Sequence, residues 1–131
     1  MTPQSERTRF SPLHTWAVAG ADGNVVVGIT AYAAYQLGEL QYVGVPRVQS
    51  MVKKDAPFGE VESVKTVSDL FAPCSGKVID VNARLIDDPS LVNRDPYGDG
   101  WIIRVEPSDL LELDSLANQA TYEATVAAEQ H

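Results

Sequence analysis

Lys65 is the residue in this chain with the clearest chemical opportunity. It lies between two short β-prone runs, Gly59 to Val64 and Thr66 to Phe71. Val61, Val64, Val67, Leu70 and Phe71 give those runs something to bury, and Pro57 and Pro73 close their ends. The pattern predicts a β-hairpin with Lys65 at or beside its tip, although the tip has no Asn-Gly or Asp-Gly pair. A lysine held out on a tip offers a flexible stem and an amine that can be acylated. Acylation would remove its charge. The plain alternative is a solvated surface lysine, because charged side chains are mostly exposed.

Other reactive side chains are few. Cys74 is the single cysteine, which excludes an intramolecular disulfide and a Cys-rich metal site. With Ala72 and Pro73 before it, Cys74 reads as a small core residue, and a reactive thiol would need a lowered pKa. His14 and His131 are the only histidines, so neither a zinc cluster nor a Ser-His-Asp or Cys-His system can be assembled. His14, beside an aromatic anchor, reads as a packed core histidine. Ser75-Gly76-Lys77 lacks the earlier glycine and the following Ser or Thr of a phosphate loop. Asp87, Asp88, Asp95 and Asp99 lack EF-hand spacing and read as turn residues that satisfy local backbone groups. No metal site and no catalytic residue are expected.

The elements that must position Lys65 are short. Residues 1–10 read as a loose N-terminal arm, and Leu13 to Val18 as a strand anchored by Trp16. Ala21 to Asn24 is a turn by composition, and the β-branched run Val25 to Ile29 is a buried strand. Thr30 suits a helix N-cap and Gly38 the position past its end, which predicts a two-turn helix over Ala31 to Leu37. Leu40 to Val45 and Gly76 to Asn82 are strands, the latter with Ile79 and Val81 on one face. Trp101, Ile103 and Val105 alternate with Ile102, Arg104 and Glu106 as a half-buried strand ended by Pro107. Ser108 to Glu129 reads as helical, in one or two pieces, with an apolar stripe of Leu110, Leu113, Leu116, Tyr122 and Val126. Short strands with Gly and Pro turns predict a mainly β fold, a small sandwich or flattened barrel carrying a short internal helix and a C-terminal helix. Residues 1–131 are expected to form one domain, with 108–131 as its helical tail.

Composition narrows the partners. Of 131 residues, 44% are hydrophobic, enough for one modest core. The net charge of -8 disfavours nucleic acid and anionic membrane surfaces. No Lys or Arg follows Arg104, whereas Glu106, Asp109, Glu112, Asp114, Glu123 and Glu129 do. That acidic tail reads as a solvated helix face rather than a docking surface. Met1 to Phe10 has no apolar centre, so no signal peptide is read there, and Gly23 to Gly38 is too short and broken to span a bilayer. A soluble cytoplasmic protein is expected.

The wording around Lys65 carries more than its spacing. Glu62-Ser63-Val64-Lys65, then Ser68 to Pro73 and Ser75 to Val78, closely resembles the lipoyl-attachment hairpin of the glycine cleavage system H protein family. Gly28-Ile29-Thr30, Tyr32-Ala33 and Leu37-Gly38-Glu39 resemble its upstream segment. Val81-Asn82, Pro89, Leu91-Val92-Asn93, Asp95 to Gly98 and Gly100-Trp101 follow in the family's order, so the resemblance covers residues 13–124. It implies the barrel-sandwich hybrid fold of lipoyl and biotinyl carriers, and lipoate in amide linkage on Lys65. Glu62, Ser63, Val64 and Asp69 would flank the site for recognition by a lipoate ligase or a lipoyl or octanoyl transferase. The implied partners are a pyridoxal-phosphate glycine decarboxylase, an aminomethyltransferase and dihydrolipoyl dehydrogenase, among which the aminomethyl group is shuttled. A non-catalytic carrier explains the missing catalytic constellation, since the cofactor supplies the chemistry.

The chain departs from the family pattern at several positions. Thr15 stands where a glutamate is usual, Ala31 where an aspartate is common, Gln36 where a histidine often precedes Leu-Gly, and Gly44 where a glutamate is frequent. Thr15 and Ala31 supply no carboxylate to pair with a protonated amine on the arm, which leaves Asp69. This opens the alternative of an H-like lipoate-binding protein carrying sulfur for a heterodisulfide-reductase-like complex in sulfur oxidation. An interaction module with unmodified Lys65 is a third reading. A biotin carrier is disfavoured because Lys65 lies between Val64 and Thr66 rather than between methionines.

Overall fold

A computed structural model describes residues 6–129. Nine strands and four α-helices follow the order β1 Arg9–Phe10, β2 Thr15–Ala19, β3 Val25–Ile29, α1 Ala31–Leu37, β4 Leu40–Gly44, β5 Met51–Val52, β6 Pro57–Ser63, β7 Val67–Phe71, β8 Gly76–Val81, α2 Arg84–Asp87, α3 Leu91–Arg94, β9 Ile103–Pro107 and α4 Gln119–Glu129. A 3-10 helix, Leu110–Ser115, precedes α4. The strands form an antiparallel six-stranded sheet in the order β1-β2-β3-β9-β8-β5, and a three-stranded sheet in the order β4-β6-β7. The mainly β expectation holds.

The core fills the space between the sheets. Val25, Val27 and Ile29 of β3, Val61 of β6, Leu70 of β7, Val78 of β8 and Val105 of β9 are all buried there. A second cluster gathers Phe10, Trp16 and Tyr122, with Phe10 and Tyr122 rings stacked 4.8 Å apart. Trp16 lies opposite Gly28 in the β2–β3 register. A Cβ on Gly28 would come within 2.7 Å of the indole, so only glycine admits the ring.

Several sequence expectations are corrected. The expected loose arm already forms β1 at Arg9–Phe10, because Phe10 is drawn into the aromatic cluster and bridges to Ala117; residues 1–5 lie outside the described residues, as does His131. Val64 and Val67 were expected to be buried, yet both are exposed, because one sits on the hairpin turn and the other on the outer face. In β8 Gly76 and Val78 are the buried residues, and the ladder with β9 shifts register between Val78 and Asp80, with Ile79 and Val81 half-buried. The tail is two helical pieces, and Leu110 is exposed at the start of the first. The turn-rich Asp segments follow the one-turn helices α2 and α3, whose ends are Asp87 and Arg94.

Two links position the hairpin. Thr15 Oγ1 donates to the Phe71 carbonyl at 3.0 Å and ties β7 to the six-stranded sheet. Helix α1 begins where expected, its N-cap Thr30 accepting from the Ala33 N–H, and ends at Gly38, with φ 83° and ψ -173°. That conformation is essentially open only to glycine.

Candidate functional site

The hairpin of β6 and β7 presents Lys65. Glu60 pairs with Asp69, Val61 with Ser68 and Glu62 with Val67, which leaves Ser63 to Thr66 as the closing turn. The Ser63 N–H donates to the Thr66 carbonyl at 2.9 Å, and the Lys65 N–H reaches the Ser63 hydroxyl at 3.4 Å. Val64 and Lys65 are therefore the two central residues. Positive φ among described non-glycine residues occurs at His14, Gln49 and Asp55, so neither tip residue is left-handed. The tip avoids the primed turns that demand Asn-Gly, which explains why that signal was missing.

Each predicted site residue is near the tip but has its own task. Val64 is 82% exposed and forms an apolar knob beside the lysine. Ser63 shapes the turn, Glu62 is half-buried opposite Val67, and Asp69 is exposed on β7. Lys65 is exposed, and its stem folds back over the end of α1. A Cβ placed on Gly38 would stand 3.3 Å from Lys65 Cε and 3.8 Å from Nζ.

Two concavities flank α1. On one side, a cleft of about 170 Å³ lies between α1 and β7, with Leu13, His14, Ala33, Leu37, Asp69 and Leu70 in its walls. On the other, a groove of about 820 Å³ opens between α1 and α3, with Ala31, Tyr35, Gly38, Asn93 and Arg94 among its walls. Thr15 and Gln36 belong to the cleft and Ala31 to the groove, so the departures at 15 and 31 fall on opposite sides of the helix. The Thr15 hydroxyl is committed to the Phe71 carbonyl, and Asp69 is the carboxylate that the cleft retains.

Residues whose roles the sequence did not disclose hold this frame. The Asn93 amide donates to the carbonyls of Ala34 at 3.2 Å and Gly38 at 2.8 Å, and its oxygen accepts from the Leu40 N–H at 2.9 Å. One side chain thus closes α1 and starts β4. His14 is not a core histidine. It is half-buried with φ 70°, its Nδ1 2.7 Å from the Tyr122 hydroxyl and its Nε2 3.3 Å from a Glu129 carboxylate oxygen. The same Tyr122 hydroxyl lies 2.8 Å from Thr30 Oγ1, so α4 pins both the cleft loop and the start of α1. Burial pushes the Tyr122 hydroxyl up to about 12. Burial likewise raises Tyr97, whose hydroxyl accepts from the Ala31 N–H.

Arg94 is held by Asp88 and by the Ser90 hydroxyl, and that hydrogen bond to Asp88 raises the guanidinium's pKa. Cys74 is buried, and burial pushes its thiol up to about 11, so the core assignment holds and a reactive thiol does not. Among the described residues no group of His, Cys, Asp and Glu is arranged to hold a metal ion, and no helix is long and apolar enough to cross a membrane.

Comparison with known proteins agrees with this geometry. The family model described as glycine cleavage H-protein matches residues 8–129. The glycine cleavage system H protein of Marinobacter nauticus is 44% identical over 122 residues, covering 93% of this chain and 94% of that one. The protein of the same name from Symbiobacterium thermophilum is 48% identical over 117 residues, covering 88% of this chain and 90% of its own. The crystal structure of a glycine cleavage system H protein from Mycobacterium marinum superposes with a TM-score of 0.85 at 38% identity, covering 94% of this chain and 98% of that one.

Proposed function

The chain belongs to the glycine cleavage H-protein family, and from that premise we propose that it is a non-catalytic carrier with lipoate in amide linkage on Lys65. The observation that carries the site is the two-residue tip, which holds Lys65 clear of the sheet with its stem against Gly38 at the end of α1. The lysine stem supplies reach, and acylation removes the ammonium charge that would resist lying on an apolar wall. When attached, lipoate supplies the sulfur to which the aminomethyl unit is bound, which is the cofactor's own chemistry.

The chain's residues do the rest. Ser63 fixes the turn, so the lysine leaves the hairpin in one direction. Exposed Val64 with Glu62 and Asp69 gives the lipoylating enzyme, a ligase or a transferase, a local pattern that sets Lys65 apart from Lys53, Lys54 and Lys77. Tethering raises the effective concentration of the arm at each docked enzyme. Those enzymes are the glycine decarboxylase, the aminomethyltransferase and dihydrolipoyl dehydrogenase of the cytoplasm. In the cleft, Asp69 offers a carboxylate to a protonated amine, a charge-assisted contact that Thr15 cannot make. The sulfur-carrier alternative is not favoured, because the relatives described above are named for glycine cleavage.

Intact-mass spectrometry tests the reading. Incubation with a lipoate ligase adds one lipoyl group to the protein and none to Lys65→Arg, which keeps its fold by circular dichroism. Incubation of the lipoylated protein, kept with its arm as the disulfide, with glycine and a glycine decarboxylase adds one aminomethyl group: the carboxyl group leaves as carbon dioxide, the sulfur–sulfur bond opens, one sulfur bonds to the aminomethyl carbon and the other becomes a thiol. A lipoyl mass on Lys65→Arg refutes the site. No aminomethyl gain, with a decarboxylase that loads a control carrier, refutes the cargo.

A further inference from the structure

We propose that the β5 edge of the six-stranded sheet, with the 3-10 helix beside it, is a self-complementary surface on which two copies of this chain pair about a two-fold axis. The inference does not depend on the cargo of Lys65. It starts from the cations. Among the described residues, Arg47, Lys53 and Lys77 are, with Lys65, the basic side chains that hold no hydrogen bond, ion pair or ring contact. The chain carries a net charge of -8, yet all three of these cations gather at β5. Arg47 and Lys53 flank the strand in sequence, and Lys77 lies opposite Met51 in the ladder with β8. Asp55 is the carboxylate that follows them, beyond Lys54.

The other half of the surface is acidic and fixed against the first. The Ser75 N–H donates to the Glu112 carboxylate at 2.8 Å, the Ser75 hydroxyl accepts from the Lys54 N–H at 2.9 Å, and the Lys54 ammonium donates to the Ser115 hydroxyl. Glu112 is thereby used inside the molecule. Glu106 and Asp114 are exposed and without a partner among the described residues, although Glu106 stands opposite Lys77 in the β8–β9 register. Both halves also leave carbon in the open. Met51 is 68% exposed, with Val48 beside the same strand, and Leu111 is 71% exposed, next to Leu110. Charge alone at a sheet edge guards it against pairing. Exposed apolar side chains set among unpaired charges mark a contact surface instead.

The occupant follows from the division into halves. A two-fold contact brings the same patch of both copies together, so the patch must complement itself. A half-turn lays Arg47 and Lys53 of one copy against Glu106 and Asp114 of the other, and does so twice, with the exposed Met and Leu side chains between them. The net charge opposes approach at long range, but salt screens charges beyond about 10 Å at 0.1 M, and the opposite charges meet inside that distance. The surface also lies away from the tip. The Asp55 N–H donates to the Ala72 carbonyl, and the Ala72 N–H to the Ala56 carbonyl, at the base of the hairpin. Lys65 is six residues up β7 from Phe71, roughly 20 Å at 3.3 Å per residue. Pairing here leaves both Lys65 tips free.

Sedimentation velocity on the full chain tests the proposal. The mass is expected to rise from 14.2 kDa toward twice that value as the concentration approaches about 1 mM, and no further. Arg47→Glu with Lys53→Glu turns the basic half acidic, and Glu106→Lys with Asp114→Lys turns the acidic half basic. Each pair of substitutions, in protein shown to be folded by circular dichroism, is expected to weaken the dimer about tenfold or more. An equimolar mixture of the two variants is expected to recover it, because each reversed half then meets its opposite. Met51→Ala with Leu111→Ala, which alters no charge at two exposed positions, is expected to weaken the dimer as well. A wild-type mass that stays at 14.2 kDa overturns the proposal, as does a dimer that all three variants leave unchanged. Loss in both charge variants without recovery in the mixture, or a mass that climbs past the dimer as head-to-tail association would make it, overturns the two-fold arrangement. Every variant keeps Lys65, so its lipoylation, read by intact mass, tests the carrier reading separately.

Discussion

Lys65 differs from the other three lysines less by its own chemistry than by what lies under its stem. Gly38 has a backbone conformation that side chains rarely adopt, and its missing Cβ leaves room for Lys65 Cε. Gly38→Ala therefore meets two penalties at one site. The backbone strain alone predicts a loss of about 1–3 kcal/mol, read as a lower urea midpoint with an unchanged slope. The displaced lysine stem further predicts slower lipoylation of the folded variant, measured as the rate of mass gain. Cys74 makes the opposite case. It is buried, and its thiol is pushed up to about 11, so a disulfide reagent at pH 8 should label it only when the protein unfolds. Rapid labelling of the native protein would contradict that burial.

Helix α1 is the element on which both concavities depend, and its two ends are secured differently. Thr30 and Gly38 announce those ends in the sequence because capping is local chemistry, which explains why the helix was legible residue by residue. The hairpin was legible for a related reason: a run, a turn and a second run are adjacent in the chain. The groove and the cleft were not, because their walls come from segments far apart. Asn93 reaches Gly38 across 55 residues and Ala34 across 59, and no spacing rule reports such a bond. Strands β1 and β5, of two residues each, are likewise too short to leave a periodic signature. Asn93→Ala removes three hydrogen bonds at buried or half-buried backbone groups. At about 1 kcal/mol each, the expected loss is about 2–4 kcal/mol by urea unfolding, together with faster amide exchange at Gly38 and Leu40. A variant with native exchange at those two amides would show that α1 is held from elsewhere. Tyr122→Phe tests the other end. It keeps the stack on Phe10 but removes the hydroxyl shared by Thr30 and His14, with an expected cost of about 1–2 kcal/mol.

At the scale of the whole molecule, the two buried groups with the largest shifts sit in separate cores and fail in the same direction. Cys74 belongs to the cluster between the sheets, and Tyr122 to the aromatic cluster beneath α4. Burial raises the thiol from 9.0 to about 11 and the phenol from 10.0 to about 12. A raised pKa means that the unfolded chain gives up its proton first. Stability is then intact below pH 9 and drains as the pH climbs, between 9 and 11 for Cys74 and between 10 and 12 for Tyr122. One pKa unit is about 1.4 kcal/mol, so a shift of about two units sets an upper bound of about 3 kcal/mol of alkaline loss for each group. The net charge of -8 adds self-repulsion that grows as lysines deprotonate, but that background is common to the wild type and its variants. The difference between them isolates the buried groups. Cys74→Ala should lose some stability at pH 7 from the vacated volume, yet fall less steeply than the wild type between pH 9 and 11. Tyr122→Phe should show the same shallowing about one pH unit higher. Urea midpoints taken from pH 7 to 12 on the three proteins decide it. Parallel curves would mean that both groups reach solvent before they ionise, and that α4 and the sheet core open locally below the global transition.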